Sequence, residues 1–254
     1  MNYIVFDLEL NQDFSNIMID EKDITYQINR KTLYPFEIIQ IGAIKLDSDY
    51  HTISTFNRYI KPTVYAKVSP FVTELTGINT EQLLMEETFP NVYKAFQDFI
   101  DDANSIFCTW GMYDMKELYR STKYHQLDSN SLPKKYINIQ PYASLHFGLS
   151  SKKLLRLQTV VESLNIPIKQ AFHDALSDAY YTSEVFKKIH HSYMEPKTYD
   201  PEKIVTRPIK PKKTIDVDSL IKQFEKMYHR EFTEEEKEIV LLAYKMGKTH
   251  QFIK

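Results

Sequence analysis

Tyr3-Ile4-Val5-Phe6-Asp7-Leu8-Glu9 opens this chain with a short strand-forming run that ends in two acids one residue apart. Side chains at i and i+2 of a strand point to the same face, so Asp7 and Glu9 project together. Carboxylates that close repel, and each stays protonated unless something positive lies between them, a part that a divalent cation can play. A strand end emerging into water, with both acids merely solvated, accounts for the isolated pair just as simply.

Working outward, Ile38 to Leu46 and the alternating stretch Thr52 to Ile60 read as two further strands, which implies an antiparallel start. Phe71 to Leu75, after Pro70 and before Gly77, reads as a short helix, Thr80 to Met85 as another, and Leu75 and Ile78 as core. Phe89 to Ile100 carries helical apolar spacing at Val92, Ala95, Phe96 and Phe99, and leads into a strand over Ser105 to Thr109. Met112 to Tyr124 reads as a helix, Tyr136 to Ile139 as a strand, Leu154 to Leu164 as an amphipathic helix and Ala175 to Ile189 as a longer one. Early strands followed by alternating strand and helix predict an α/β fold, a mixed sheet flanked by helices.

The 254 residues are enough for one substantial domain and a small appendage, and the single cysteine, Cys108, excludes a disulfide framework. With no secretory leader pattern, a reducing cytoplasm is the expected location, and no run reaches the ~20 apolar residues of a membrane span. A net charge of −2 does not exclude a polyanionic partner, because basic residues can be confined to one groove. Around residue 195 the character changes. Pro196, Pro201, Pro208 and Pro211, interleaved with Lys203, Arg207, Lys210, Lys212 and Lys213, read as an extended basic connector. The expected organisation is a domain over 1–195, a linker over 196–214 and a helical extension over 215–254. In the extension, Val217 to Tyr228 and Glu234 to Met246 form a helix pair, the second with Thr233 and Glu236 in capping-box spacing and a stop at Gly247. Too small to fold well alone, the pair is expected to pack on the main domain or on a protein partner.

Two further patches carry acids. Trp110-Gly111 turns from a strand into a helix and leaves Asp114 in its first turn, where the macrodipole alone also favours an acid; Trp110 itself reads as a core aromatic. In Phe172-His173-Asp174-Ala175-Leu176-Ser177-Asp178, Asp174 as N-cap places His173 at N′ and Asp178 at N4, which meet across the first turn. Asp174 is better explained as a cap than as a ligand.

Taken in order, these motifs resemble those of the DEDDh exonucleases of the DnaQ-like, RNase H-fold superfamily, over roughly residues 1 to 193. Between them, Phe36 to Ala43, Tyr59-Ile60-Lys61-Pro62, and Ser69-Pro70-Phe71 through Leu75-Thr76-Gly77-Ile78 are similar to the subgroup of KapD-like proteins and eukaryotic 3′ exonucleases of small and histone-message RNA. One departure is Leu10-Asn11, where many relatives carry threonines. The resemblance implies an RNase H-like five-stranded sheet, two Mg²⁺ or Mn²⁺ ions held by Asp7, Glu9, Asp114 and Asp178, and His173 as general base. It implies hydrolysis of RNA or DNA from a free 3′ end to nucleoside 5′-monophosphates, with Leu10, Thr76 and Gly77 beside the terminal nucleotide. Lys152, Lys153 and Arg156 are candidates for the groove border, against the commoner role of a solvated face. The 18 tyrosines and 15 phenylalanines offer stacking platforms, although most aromatic residues serve packing. A nucleic-acid-binding module acting without catalysis and a polymerase-associated proofreading subunit are the alternatives; the first has no chemical need for four acids and an imidazole together.

Overall fold

In the computed structural model, which describes residues 1–12, 36–191, 194–202 and 216–248 (245–248 by backbone alone), alternation along the first strand fixes the layers. Strand β1 runs Tyr3–Asn11, β2 Glu37–Leu46 and β3 Thr52–Tyr59. Tyr3 and Val5 pack with Ile44, Leu46 and Cys108 on one face, whereas Ile4, Phe6 and Leu8 pack with Ala43, Phe56 and Phe107 on the other. Both faces of β1 are buried, so the strand is central and its acids lie within it, not at a frayed end.

Short strands β4 (Ile106–Thr109), β5 (Lys135–Asn138) and β6 (Lys197–Thr198) complete a six-stranded sheet in the order β3-β2-β1-β4-β5-β6. β1 is antiparallel to β2 and parallel to β4, so the sheet is mixed as expected, with β6 as an extra edge strand. Lys197 and Thr198 fall in the stretch read from sequence as connector. They pair antiparallel with Tyr136 and Lys135, and Tyr199 then packs its ring against Tyr119 at 4.9 Å. A two-residue strand leaves no periodic signal, which is why prolines dominated the reading there. The chain divides into compact units Met1–Lys203 and Ile204–Lys254, so the first body extends past 195. Residues 203–215, most of the proposed linker, lie outside the described residues.

Helices α1 (Pro70–Thr76) and α2 (Thr80–Leu83) precede α3 (Phe89–Ile100), which with α4 (Tyr113–Tyr124) covers the Ile4–Phe6–Leu8 face. α3 buries Phe89, Val92, Tyr93, Phe96 and Ile100, a stripe that stabilises by roughly 10 kcal/mol at ~2 kcal/mol per side chain. Phe96 lies nearly parallel to Phe107 at 6.3 Å and also meets Phe6 and Phe56. On the opposite face lie α5 (Ile139–His146), α6 (Leu157–Ser163) and α7 (Ala175–Ile189), the last contributing Tyr181, Val185, Phe186 and Ile189.

Several local expectations are corrected. α5 was unforeseen: Asn138 caps it by accepting from the Gln140 N–H, and Pro141 is tolerated because it falls in the first turn. α6 begins at Leu157, so Lys152 and Lys153 sit on an exposed loop and Arg156 occupies its N-cap. Ile78 is buried but Leu75 is 43% exposed, and α2 stops before Met85, which is 94% exposed. Trp110 is half-buried against the α7-side core.

Within the second unit, α8 (Val217–Tyr228) is capped by Asp216, and α9 (Glu234–Lys248) starts with the anticipated box, the Thr233 N–H donating to Glu236 and the Glu236 N–H to Thr233 Oγ1. α9 runs through Gly247 instead of stopping there. Among the described residues, no helix is long and apolar enough to cross a membrane.

Candidate active site

Asp7 and Glu9 lie on the α7 face of β1, paired across the ladder with Gly42 and Gln40 of β2. Those two partners explain how a helix more than 160 residues away in sequence reaches the acids. A Cβ on Gly42 would lie 2.1 Å from both the Ala175 carbonyl carbon and the Leu176 nitrogen, so only a residue without a side chain lets the first turn of α7 rest on the strand backbone. Gln40, fully buried, donates through Nε2 to Asp174 Oδ2 (2.8 Å) and accepts at Oε1 from the Ala175 N–H (3.3 Å). Asp174 is the expected N-cap, its Oδ1 accepting from the Ser177 N–H at 2.9 Å.

This seating presents Asp178 to the acids of β1, with His173 in the turn just before the helix. The contact across the first turn exists, but it is made by the His173 backbone N–H, which donates to Asp178 Oδ2 at 3.1 Å, while the imidazole lies on an exposed residue. His173 adopts φ +65°, a left-handed conformation that costs a non-glycine residue about 1–2 kcal/mol. One carboxylate oxygen each from Asp7, Glu9 and Asp178 lie within 4.8 Å of one another. Asp114 is outside that triple but adjacent: buried in the first turn of α4, its carboxylate accepts from the N–H groups of Leu8 and of Asp114 itself, and its charge acts on Asp7 and Glu9.

Burial is the first cause of the electrostatics. Desolvation, then the charges of Asp114, Glu9 and Asp178, push Asp7 well above the usual carboxylate range. Glu9 is pushed up to about 8 by desolvation and then Asp178. Desolvation carries Asp114 to about 7 against two hydrogen bonds that lower it, and Asp178 to about 6 against the His173 N–H. Without a cation Asp7 and Glu9 favour their protonated forms near neutrality, and a bound cation reverses that preference. Asp178 Oδ1 is buried with no hydrogen-bond partner, an acceptor left for something other than a protein donor. An all-carboxylate oxygen set suits hard divalent ions. The residues therefore fit a divalent metal. Among the described residues, Asp47, Asp49 and His51 also come within the same span, but on an exposed turn.

Of the anticipated nucleotide contacts, Leu10 is half-buried at the end of β1 against the α3/α4 core. Thr76 and Gly77 do local work: the Thr76 hydroxyl donates to the Val72 carbonyl (2.8 Å) and accepts from the Ile78 N–H (3.1 Å), and Gly77, at φ +75°, closes α1. Gln40 and Gly42 went unremarked as site builders, as did Asn11 and Glu37. Fully buried Asn11 donates to the Lys67 carbonyl and accepts from the Ser69 N–H, both at 3.0 Å, while Glu37 accepts from the N–H groups of Thr63, Val64 and Tyr65. Together they tie the segment before α1 to the end of β1. The available signal was polarity inside apolar strands, at Asn11 right after the acids and at Glu37 opening β2.

A mixed sheet whose central strand offers two acids to a third on an overlying helix, with a fourth from the helix after β4, is the architecture of the RNase H-like exonucleases. A model of the exonuclease family (RNase_T) matches residues 4–186, and the chain belongs to that family. ERI1 exoribonuclease 3 of Homo sapiens is 28% identical over 129 residues, 47% of this chain and 38% of that protein. The 3'-5' exoribonuclease 1 of Mus musculus is 26% identical over 176 residues, 65% of this chain and 50% of that one. The chain thus matches half or less of the length of these curated relatives. Among solved structures, the nuclease domain of 3'hExo, a DEDDh family member bound to rAMP, superposes with TM-score 0.62 at 21% identity, covering 78% of this chain and 96% of that domain. Cell-death related nuclease 4 gives 0.58 at 19%, covering 74% and 62%. At such identities these structures establish a shared fold.

Proposed function

We propose that this chain is a metal-dependent 3′-to-5′ exonuclease that hydrolyses terminal phosphodiester bonds of single-stranded nucleic acid and releases nucleoside 5′-monophosphates. The observation that carries this reading is the gathering of oxygens from half-buried Asp7 and Asp178 and buried Glu9 within 4.8 Å, one oxygen of Asp178 lacking any partner, in a chain of exonuclease family. Asp7, Glu9, Asp114 and Asp178 would hold two ions, Mg²⁺ or Mn²⁺. When bound, such ions supply positive charge that orients a water and stabilises the entering and leaving oxygens of the displacement. Asp178 is held by the His173 N–H and Asp114 by the Leu8 N–H, so both carboxylates are oriented before any ion binds. His173, on the exposed turn, takes the proton from the attacking water and passes it to solvent, as imidazole can near neutral pH. The two sequence relatives named above are exoribonucleases, which favours RNA as the substrate, and both Leu10 and the Thr76–Gly77 turn belong to the proposed seat of the terminal nucleotide.

The test uses matched 5′-labelled RNA and DNA oligomers with Mg²⁺ or Mn²⁺, with and without chelator. A ladder shortening from the 3′ end, abolished by chelator and by Asp7→Ala, is expected. Normal turnover by Asp7→Ala, or internal cuts, would refute the assignment.

A further inference from the structure

We propose that Gln40 and Asp174 are positioning residues for His173 and Asp178, registering the turn that carries them against the acids of β1. The inference rests on the exonuclease reading above. An N-cap needs one side-chain oxygen, and Asp174 Oδ1 fills that need, accepting from the Ser177 N–H (2.9 Å) and hydroxyl (2.8 Å). Its second oxygen points to the sheet and takes the Gln40 amide at 2.8 Å. Gln40 Oε1 accepts from the Ala175 N–H at the same junction, while Nε2 also donates to Asn57 Oδ1 of β3 at 3.0 Å, which holds the amide in place on the sheet. A cap alone fixes where a helix starts along the chain. Bonds to both sides of the Asp174–Ala175 peptide fix where it sits on the sheet.

Gln40 is the ladder partner of Glu9, so the residue that grips the turn shares a register position with one of the acids the turn must meet. The turn needs gripping because His173 holds an unfavourable φ of +65° on an exposed residue, restrained from within the turn by its N–H bond to Asp178. Misplacement by about 1 Å costs on the order of 10²-fold in rate, and loss of groups that orient metal ligands costs about 10- to 100-fold in affinity.

The experiment exchanges the two groups. Gln40→Glu keeps an acceptor for the Ala175 N–H but sets a carboxylate against Asp174, and Asp174→Asn keeps a capping oxygen but sets an amide against the Gln40 amide. Each single variant is expected to weaken Mn²⁺ about 10-fold by titration calorimetry. At saturating Mn²⁺ each should lower kcat about 10- to 100-fold on a short RNA oligomer, with KM little changed. The double variant Gln40→Glu/Asp174→Asn restores a donor facing an acceptor with the roles reversed, and should recover both quantities to within about fivefold of wild type. Should Gln40→Glu fail to fold, Asp174→Ser, which retains a cap but lacks the second oxygen, makes the same test. Folded single variants with wild-type Mn²⁺ affinity and kcat, or a double variant no better than the worse single one, would overturn the proposal. A wild type that binds Mn²⁺ in this pattern yet cleaves nothing would sink the exonuclease reading and leave the positioning role standing.

Discussion

Glu9 offers a quantitative check on the idea that this site is built for a cation it must wait for. Its carboxyl is pushed from 4.5 to about 8, chiefly by desolvation and then by Asp178, at 8% exposure. Between those two values the native state binds more protons than the unfolded chain, so metal-free stability falls as pH rises through that window. At ~1.4 kcal/mol per pH unit, Glu9 contributes a destabilisation of about 3 kcal/mol at pH 7 and at most about 5 kcal/mol above pH 9, and none below pH 4. Glu9→Gln removes the ionisation while keeping the shape. In chelator at pH 7 the variant should therefore be the more stable protein by about 3 kcal/mol, a rise in Tm of roughly 6 to 12 °C for a domain of this size. At pH 4 the two should coincide. Added Mn²⁺ should level the two at a hundredfold excess over Kd, where wild type gains about 3 kcal/mol, and reverse the order at a thousandfold excess, where it gains about 4 kcal/mol, since the variant has lost a ligand. Thermal unfolding at three pH values, with chelator and with Mn²⁺, measures all of this. A variant no more stable than wild type in chelator at pH 7, or a difference that does not vary with pH, would refute the electrostatic account.

Three further outcomes test other parts. His173→Ala should lower kcat by ~10² to 10⁴ at saturating Mn²⁺ with Mn²⁺ affinity nearly unchanged in calorimetry, and a proportionate loss of affinity would contradict the base role. Gly42→Ala should force the first turn of α7 off β2, costing about 1–3 kcal/mol or more in urea unfolding and most of the activity; a fully active variant would show that the helix seat tolerates a methyl group. Phe96→Ala, in the ring cluster on the face away from the acids, should cost about 3–5 kcal/mol in the same assay while leaving KM and kcat of the folded fraction intact.

What the sequence disclosed tracks how local each determinant is. The two-residue period of Asp7 and Glu9 and the spacing of Asp174 to Asp178 are properties of one strand and one helical turn, so both were legible and both appear in the structure. Order along the chain, matched to a known family, supplied Asp114. The bonds that bring these pieces together were not legible. Gln40 meets Asp174 across 134 residues and Asn11 meets Lys67 across 56, and nothing in either neighbourhood marks the partner. Register hides in the same way. The irregularity between Glu9 and Leu10 skips Ile39, which then packs with Val68, Val72, Ile78 and Leu83 under α1 and α2, a consequence of pairing that no single-strand pattern carries. Edge strand β6 and helix α5 escaped for a simpler reason: two residues show no period, and Pro141 reads as a break unless the first turn is already known.

The wide separation of the acids along the chain also has a temporal meaning. Asp7 and Glu9 leave the ribosome first, whereas Asp178 arrives on the last helix of its body, seated only when Gly42 and Gln40 receive it. A nascent chain therefore carries an incomplete acidic cluster until α7 has been made, and the three carboxylates meet only once that helix is seated.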